Sequence, residues 1–304
     1  MTTSEIRGLV DALCAEAPVE NLALSGGEPL LRDDLPEIVA HLRQRGIAPV
    51  IITNGALLNA AKVDSLRDAV NFEITLFSYR PAVHDELAGR RGAWNDAIGA
   101  MANLRSAGRD FVAVFVATRV NYMDLEKTAE LAIAAGAYGL MYNRVNLSAH
   151  NIRHVSRLLP RPRMIRENLD TLEAIGAKYG LAIAVTVVVE PCVVDVRGYR
   201  HIHFGWCPLA GENAYFTIDP AGNVRICNHS PVVLGNIRRG GFAAIYGKHP
   251  YVRRFRDTWP AECAACEPEL KEMCRGGCKA ASEQCYGTLA RIDPFVTISR
   301  TLAD

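Results

Sequence analysis

Short apolar runs alternate with longer amphipathic stretches from residue 20 to about 190 of this 304-residue chain. The runs are rich in β-branched and aromatic residues, which is typical of buried strands, and the stretches repeat apolar residues at helical spacing. The pattern predicts six strands, at 21–24, 48–53, 72–77, 111–118, 138–145 and 181–189, and five helices, near 34–45, 57–69, 94–107, 124–135 and 163–179. This alternation predicts an α/β fold built around a parallel sheet.

The alternation stops beyond Pro191, where glycine, proline and cysteine become frequent. One hairpin is predicted in this part, with its turn at Asp219-Pro-Ala-Gly-Asn223 between two β-rich runs. We therefore place a domain boundary near residue 190. It separates an α/β domain at 1–190 from a smaller cysteine-rich domain at 191–304.

The net charge and the lengths of the apolar runs limit the classes of protein to which this chain can belong. The 34 Lys and Arg residues nearly balance the 33 Asp and Glu residues, for a net charge of +1, so no general affinity for nucleic acid or membranes is expected. No apolar run reaches the roughly 18 residues of a membrane span, and the N-terminus lacks the pattern of a signal peptide. We expect a cytoplasmic protein.

Cysteine spacing carries the clearest chemical signal. In a reducing cytoplasm, clustered cysteines indicate metal binding rather than disulfides. Seven of the nine lie close together in the order Cys207, Cys227, Cys263-x2-Cys266-x7-Cys274-x3-Cys278-x6-Cys285. Short-spaced pairs suit one or two iron–sulfur clusters, and a structural zinc site is the alternative. Cys14 lies apart and is expected to be an ordinary core residue.

The same segment resembles the SPASM domain that follows the barrel of many radical S-adenosylmethionine (SAM) enzymes, including the glycine five residues before Cys227. It departs from that pattern in the seven residues between Cys266 and Cys274 and in the short gap before Cys285. The resemblance implies one or two auxiliary 4Fe–4S clusters. The first would take Cys207, Cys227 and Cys278, and the second Cys263, Cys266, Cys274 and Cys285. Cys192 is either the missing fourth ligand of the first cluster or a buried structural thiol.

Strand 21–24 leads directly into Ser25-Gly-Gly-Glu28. Glycines after a strand let a ligand approach the backbone, and a carboxylate beside them can bind an ammonium group. Alone this motif is weak, because Gly-Gly turns are common. However, residues 20–150 also resemble the partial (β/α)6 barrel of radical SAM enzymes. That resemblance implies that Gly26, Gly27 and Glu28 bind the methionyl amine of SAM and that Asn54 faces the cofactor.

The resemblance is weaker after the next strand, where Thr75-Leu-Phe-Ser78 replaces a Ser-Leu-Asp-Gly pattern. Thr75 would keep the hydroxyl. The pair His84-Asp85 is interpreted, from the residues alone, as an exposed helix start. Arg119 and Asn143-Arg144 end the fifth and sixth strands of the family's barrel, where an arginine would pair with a carboxylate of cofactor or substrate. The alternative is a surface arginine on the rim. No catalytic residue is assigned.

The family's C-x3-C-x2-C motif, which holds the SAM-binding cluster, should precede Gly26, but only Cys14 does. The fold expected is therefore a partial TIM-like (β/α)6 barrel that lacks its first strand and cluster loop, followed by a SPASM domain. Truncation of the chain is our preferred explanation, and true loss of the cluster is the alternative.

The resemblance implies an oxidoreductase that modifies a peptide or protein, for example as a maturase of ribosomal peptides. A 5′-deoxyadenosyl radical derived from SAM would abstract hydrogen, and a donor such as flavodoxin or ferredoxin would supply electrons. Two alternatives remain open. One is a non-catalytic iron–sulfur or substrate-binding partner protein, and the other is a zinc-stabilised binding module.

Overall fold

The computed structural model describes residues 1–207, 215–247 and 249–301. The strands in these ranges are β1 Asn21–Leu24, β2 Ala48–Thr53, β3 Asn71–Thr75, β4 Phe111–Ala117, β5 Gly139–Arg144, β6 Ala182–Val185, β7 Ile202–Phe204, β8 Thr217–Ile218, β9 Asn223–Arg225 and β10 Gly235–Asn236. The helices are α1 Thr3–Glu16, α2 Leu35–Gln44, α3 Ala60–Ser65, α4 Pro81–Ala88, α5 Ala93–Ser106, α6 Leu125–Ala135, α7 Val155–Leu158, α8 Pro162–Tyr179, α9 Phe242–Tyr246, α10 Pro250–Asp257, α11 Pro268–Cys274, α12 Lys279–Tyr286 and α13 Pro294–Thr301.

Strands β1 to β7 form one sheet whose order follows the chain. The pairs β1–β2, β2–β3, β3–β4 and β6–β7 are parallel. All six predicted strands and five predicted helices are present, and β1 and β2 have the predicted bounds. Sequence reasoning missed β7, because three residues are too short to show a period, and it also missed α1 and α4.

The hairpin is confirmed. β8 and β9 pair antiparallel, with Thr217 opposite Arg225, and β10 pairs with β9 to complete a three-stranded sheet. The Asp219 carboxylate organises the turn by accepting from the backbone N–H groups of Ala221 and Asn223, at 2.9 and 3.0 Å. Gly222 takes a φ of 86°, a left-handed conformation that glycine adopts at little cost.

The described chain divides into two compact units. The first comprises 1–116 and 124–141, which include β1 to β3 and most of β4. Its α1 begins with a capping box between Thr2 and Glu5. Cys14 of α1 packs, partly buried, against a core cluster of α1, α2 and Ile47, which directly precedes β2, as expected of a core residue.

The second unit comprises 117–123 and 142–304 and includes the hairpin and the clustered cysteines. Its longest described helix, α8, begins with Pro162 and is capped by Gly180, which follows Tyr179 and has a φ of 62°. The predicted boundary near residue 190 remains a prediction. Among the described residues, no helix has both the length and the apolar character needed to cross a membrane.

Candidate functional site

The loop after β1 leaves its two glycines beside open space. Gly26 has a φ of 128°, which side chains of L-residues rarely adopt. A Cβ added to Gly26 or Gly27 would meet no described atom within 4 Å. The backbone of both residues is therefore accessible to a ligand.

Glu28 is oriented by the end of the next strand. Its Oε1 accepts a hydrogen bond from Thr53 Oγ1 at 2.6 Å, and its Oε2 accepts one from the Asn54 backbone N–H at 3.0 Å. Oε1 also accepts from the Leu30 N–H at 3.2 Å and caps a short 3₁₀ turn. Because a carboxylate offers about four acceptor directions, Glu28 keeps capacity for an ammonium group in a fixed orientation.

Asn54 lies at the C-terminal end of β2, as the sequence predicts. Its side-chain oxygen accepts from the Ala56 N–H at 2.8 Å, so the amide NH₂ is the part of this exposed side chain left for a ligand. Gly55 has a φ of 83°, and an added Cβ would lie 2.9 Å from Ala100 Cβ. The turn at Asn54 is therefore fixed by close packing against α5.

Asn54 and Thr75 line the same small cavity of about 60 Å³ in the first unit. The other lining residues are Phe77, His84, Ala88, Arg90 and Ala93. The structure thus brings together two of the predicted cofactor-binding residues. Their binding role remains a prediction.

The interpretation of His84-Asp85 as an exposed helix start is wrong for His84. This residue is only 2% exposed and lies inside α4, which begins three residues earlier. Its Nδ1 accepts from the Phe77 N–H at 3.2 Å, and burial lowers its pKa, which favours the neutral ring. Asp85 accepts from the N–H groups of Trp94 and Gly92, which lower its pKa and stabilise the start of α5.

Both expectations for Arg144, a contact with cofactor or substrate and a position on the surface of the rim, are also wrong. The side chain is fully buried, and its guanidinium donates to Glu190 at 3.0 Å and to Asp293 at 2.8 Å. Its Cζ also lies 4.3 Å from the centre of the Phe295 ring. Arg144 is thus committed to internal carboxylates and is not available to a cofactor or substrate.

Asn143 and Arg119 likewise contact the protein itself. The Asn143 side-chain oxygen accepts from the backbone N–H groups of Thr186 and Val187, at 3.0 and 2.9 Å, just after β6. The Arg119 guanidinium donates to the Ser156 carbonyl. The cofactor role predicted for Arg119 remains a prediction.

Three cysteines of the second unit form what we call the first thiol group: Cys207, Cys227 and Cys278. Burial raises the pKa of the Cys227 thiol to about 11, and the neighbouring Cys207 contributes. Burial raises the pKa of Cys278 to about 12, with contributions from Asp293 and Cys227. These contributions link Cys207 to Cys227 and Cys227 to Cys278, which agrees with the grouping assigned to the first cluster, and the ligand role of the three remains a prediction.

Three others, Cys263, Cys266 and Cys274, form the second thiol group. Burial raises the pKa of Cys263 to about 11, and Cys266, which also hydrogen-bonds its thiol, contributes. The Cys266 N–H donates to the Cys263 carbonyl at 3.2 Å in a tight turn. Cys274 ends α11, is buried, and has its pKa raised mainly by that burial.

Cys192 and Cys285 lie on different elements. Cys192 is exposed and belongs to a turn after β6, whereas Cys285 is in the last turn of α12. Burial and the carboxyl group of Asp293 raise the pKa of Cys285. The ligand role of each remains a prediction.

A buried ionic network beside the thiols escaped sequence reasoning. Asp293 Oδ2 accepts both from Arg144 and from the Cys278 backbone N–H, at 2.8 and 2.9 Å. Burial raises the pKa of Glu190 well above its usual range, and Asp293 adds to the effect. A Cβ on Gly277, which has a φ of 80°, would lie 2.2 Å from Glu190 Oε1. No local pattern links these residues, since Arg144 and Asp293 are 149 positions apart.

Sequence reasoning also missed the structural role of Lys279. Its ammonium donates to the carbonyls of Phe255, Arg256 and Thr258, at 2.7, 3.2 and 2.6 Å, and so satisfies the end of α10. Burial lowers its pKa to about 8, although Cys207 opposes the shift. A lysine directly after a cysteine gives no sequence signal of this role.

The donor set fits iron–sulfur chemistry. The clustered side chains are thiols, and an iron–sulfur cluster distributes its thiolate ligands over several iron atoms. The raised pKa values mean that a cluster must displace protons when it binds these thiols.

Comparison with known families gives the class of protein. Residues 1–132 match the family model of the Radical SAM superfamily. Residues 207–278 match SPASM, described as an iron–sulfur cluster-binding domain. The chain therefore contains a radical SAM domain followed by a SPASM domain, which confirms the predicted resemblance and fold class and favours iron–sulfur clusters over zinc. These two domains imply 4Fe–4S clusters and SAM as cofactors.

Two named proteins are similar in sequence to this chain over most of its length. PqqA peptide cyclase of Xanthomonas campestris pv. campestris (strain 8004) is 27% identical over 97% of this chain and 78% of its own length. AdoMet-dependent heme synthase of Methanosarcina barkeri is 25% identical over 97% of this chain and 87% of its own length.

Two solved structures share the fold. Native anSMEcpe with bound AdoMet and Kp18Cys peptide has a TM-score of 0.76 and 14% identity, over 99% of this chain and 87% of that one. Streptococcus suis SuiB bound to precursor peptide SuiA has a TM-score of 0.73 and 13% identity, over 96% of this chain and 68% of that one.

Proposed function

We propose that this chain acts as a radical SAM/SPASM enzyme that modifies a peptide. The single observation that carries the proposal is the Gly26-Gly27-Glu28 loop, which borders open space and has its carboxylate held by Thr53 and Asn54. The peptide substrate is supported by the relatives, one named a PqqA peptide cyclase and another solved with the precursor peptide SuiA.

In this proposal the chain's own residues position the cofactor. Glu28 accepts a hydrogen bond from the methionyl ammonium, and the glycines let that end of SAM approach the backbone. Asn54, Thr75 and Arg119 are the further candidates for SAM contacts. Bound SAM would supply a 5′-deoxyadenosyl radical for hydrogen abstraction once it accepts an electron from a reduced 4Fe–4S cluster held by a C-x3-C-x2-C motif outside the given sequence. A donor such as flavodoxin or ferredoxin would reduce that cluster.

The domain assignment is part of the proposal. Residues 1–190 are taken as the partial radical SAM barrel and 191–304 as the SPASM domain. Within the second domain, the candidate cluster ligands are the two thiol groups together with Cys192 and Cys285.

A second candidate is a non-catalytic iron–sulfur or substrate-binding partner protein. In the given sequence, the cysteine before Gly26 is Cys14, which packs against the core of the first unit and is not a candidate cluster ligand. DNA read in frame before Met1 discriminates cheaply. A C-x3-C-x2-C motif encoded there supports the enzyme, and its absence supports the second candidate.

The direct test measures SAM binding by equilibrium dialysis on anaerobically reconstituted protein. Glu28→Gln should weaken binding about tenfold, or about 1.4 kcal/mol, because the amide has no charge to offer the ammonium group. The matched control is Glu20→Gln, an exposed carboxylate at the start of β1, which should leave binding unchanged.

Formation of 5′-deoxyadenosine with a strong reductant, assayed on protein expressed with any C-x3-C-x2-C segment encoded in frame before Met1, then separates the candidates. Product formed by the wild type and reduced in Glu28→Gln supports the enzyme. SAM binding without product supports the non-catalytic partner. No SAM binding at all would overturn the assignment of the loop.

A further inference from the structure

The second thiol group offers three ligands where a 4Fe–4S cluster takes four cysteines. Both cysteines that can complete it, Cys192 and Cys285, lie outside the segment matched by the iron–sulfur domain, 207–278. Their surroundings in the second unit distinguish them.

The chain on one side of Cys192 contacts the second thiol group, and the chain on its other side contacts the loop between Cys274 and Cys278. On one side, Val193 packs against the apolar cluster that contains Cys263, and Cys266 packs against the same cluster. On the other side, Glu190 contacts the loop that follows Cys274, since its Oε1 lies 2.2 Å from the position of a Cβ on Gly277.

A tight turn fixes this segment. The N–H groups of Val193 and Val194 both donate to the Glu190 carbonyl, at 2.8 and 3.1 Å. Cys192 lies inside this turn, between the two contacts. Its backbone is therefore held beside the second thiol group before any cluster binds.

Cys285 is placed differently. It lies seven residues after Cys278 along α12, a rise of about 10.5 Å at the α-helical spacing. The preceding residues of the helix are held elsewhere: Ser282 donates to the Arg291 carbonyl at 2.9 Å, and Gln284 donates to the His229 carbonyl. The sequence agrees with this difference in placement, because the gap before Cys285 is shorter than in the SPASM pattern.

We propose that Cys192 is the fourth ligand of the cluster held by Cys263, Cys266 and Cys274, and that Cys285 is not a ligand of that cluster.

The proposal rests on iron–sulfur binding by the SPASM domain but not on catalysis, so its test uses metal content and spectra. The reconstituted full chain is compared with Cys192→Ala, Cys285→Ala and Cys263→Ala for iron, acid-labile sulfide and the electron paramagnetic resonance spectrum after reduction. Cys192→Ala should lose the same signal as Cys263→Ala, and Cys285→Ala should keep the wild-type iron content and spectrum. Cys227→Ala marks the other signal, and Cys14→Ala is the neutral control.

Several results would overturn the proposal. They are retention of all signals in Cys192→Ala, loss of the Cys227-dependent signal in that variant, or loss of the Cys263-dependent signal in Cys285→Ala. A wild type that binds no iron and sulfide would remove the iron–sulfur basis itself, whereas failure to make 5′-deoxyadenosine would leave this proposal standing.

Alkylation of the wild-type holoprotein covers the case of a variant that does not fold. Cys192 is exposed, so iodoacetamide should label it after the cluster is removed but not while it is a ligand. Labelling of Cys192 in the loaded protein, read by mass spectrometry, would contradict the assignment.

Discussion

The loop at Gly26–Glu28 and the thiol region around Cys278 are held in place by different interactions. The loop is open, and its carboxylate is held by neighbours at the end of the adjacent strand. The thiol region is closed, and its backbone is held by the fully buried ions of Arg144, Glu190 and Asp293. A site that must admit a whole cofactor keeps its space free, whereas a site that must fix several thiols depends on buried charges that tolerate little change.

The largest expected effect comes from Arg144→Met. It leaves two carboxyl groups buried without their cation, and removing one partner of a buried pair costs about 3–5 kcal/mol. Urea unfolding should show this loss, together with weaker retention of iron, because Asp293 also holds the Cys278 N–H. Arg197→Met removes an exposed ion pair with Asp195 and should change stability little. Equal effects of the two variants would refute the role given to the network.

Gly277→Ala tests how closely the same region is packed. The new methyl group would collide with Glu190, at a φ of 80°. Gly287→Ala is the matched control, because its φ is 71° but an added Cβ meets no described atom within 4 Å. The control should lose about 1 kcal/mol of unfolding free energy from backbone strain, and Gly277→Ala about 2 kcal/mol more from the collision. Similar losses in both would mean that Glu190 moves aside freely.

In the loop region, Thr53→Val should cost less, about 1 kcal/mol of unfolding free energy. The valine keeps the shape but removes the hydrogen bond to Glu28 and the acceptor for the Gly55 N–H. SAM binding should weaken at the same time, because Glu28 loses its orientation. Thr171→Val, which removes only a bond to the carbonyl one helical turn earlier, is the control. Unchanged SAM binding in Thr53→Val would argue against preorganisation of Glu28.

The smallest expected effect is a pH dependence of stability, to which one buried histidine in each compact unit contributes. Burial lowers the pKa of His84 in one unit and of His229 in the other below the usual 6.5. Because the unfolded chain then binds more protons, stability should fall as the pH drops below about 6.5 and continue to fall until the folded pKa is passed. His84→Asn and His229→Asn should each make the decrease between about pH 7.5 and pH 5.5 shallower in denaturant titrations. A steeper decrease in either variant would reverse the sign assigned to that histidine.

Sequence reasoning succeeded where residues close together along the chain determine the local structure. The strands 21–24 and 48–53 end where predicted, because their periodicity and turn residues are local. Their adjacency in a parallel sheet then brings Glu28 close to Asn54. It failed for Arg144, whose position at a strand end suggested a ligand contact, because its buried partner Asp293 lies 149 residues away.

The sequence by itself determined the α/β class, the loop at Gly26–Glu28 and the cysteines that can bind metal, since residue type and short-range spacing carry that chemistry. Tertiary structure alone decided that Arg144 is internal and that Cys192 lies beside the second thiol group. Such contacts join segments whose separation along the chain leaves no periodic trace, because they are selected by burial and charge pairing when the chain packs.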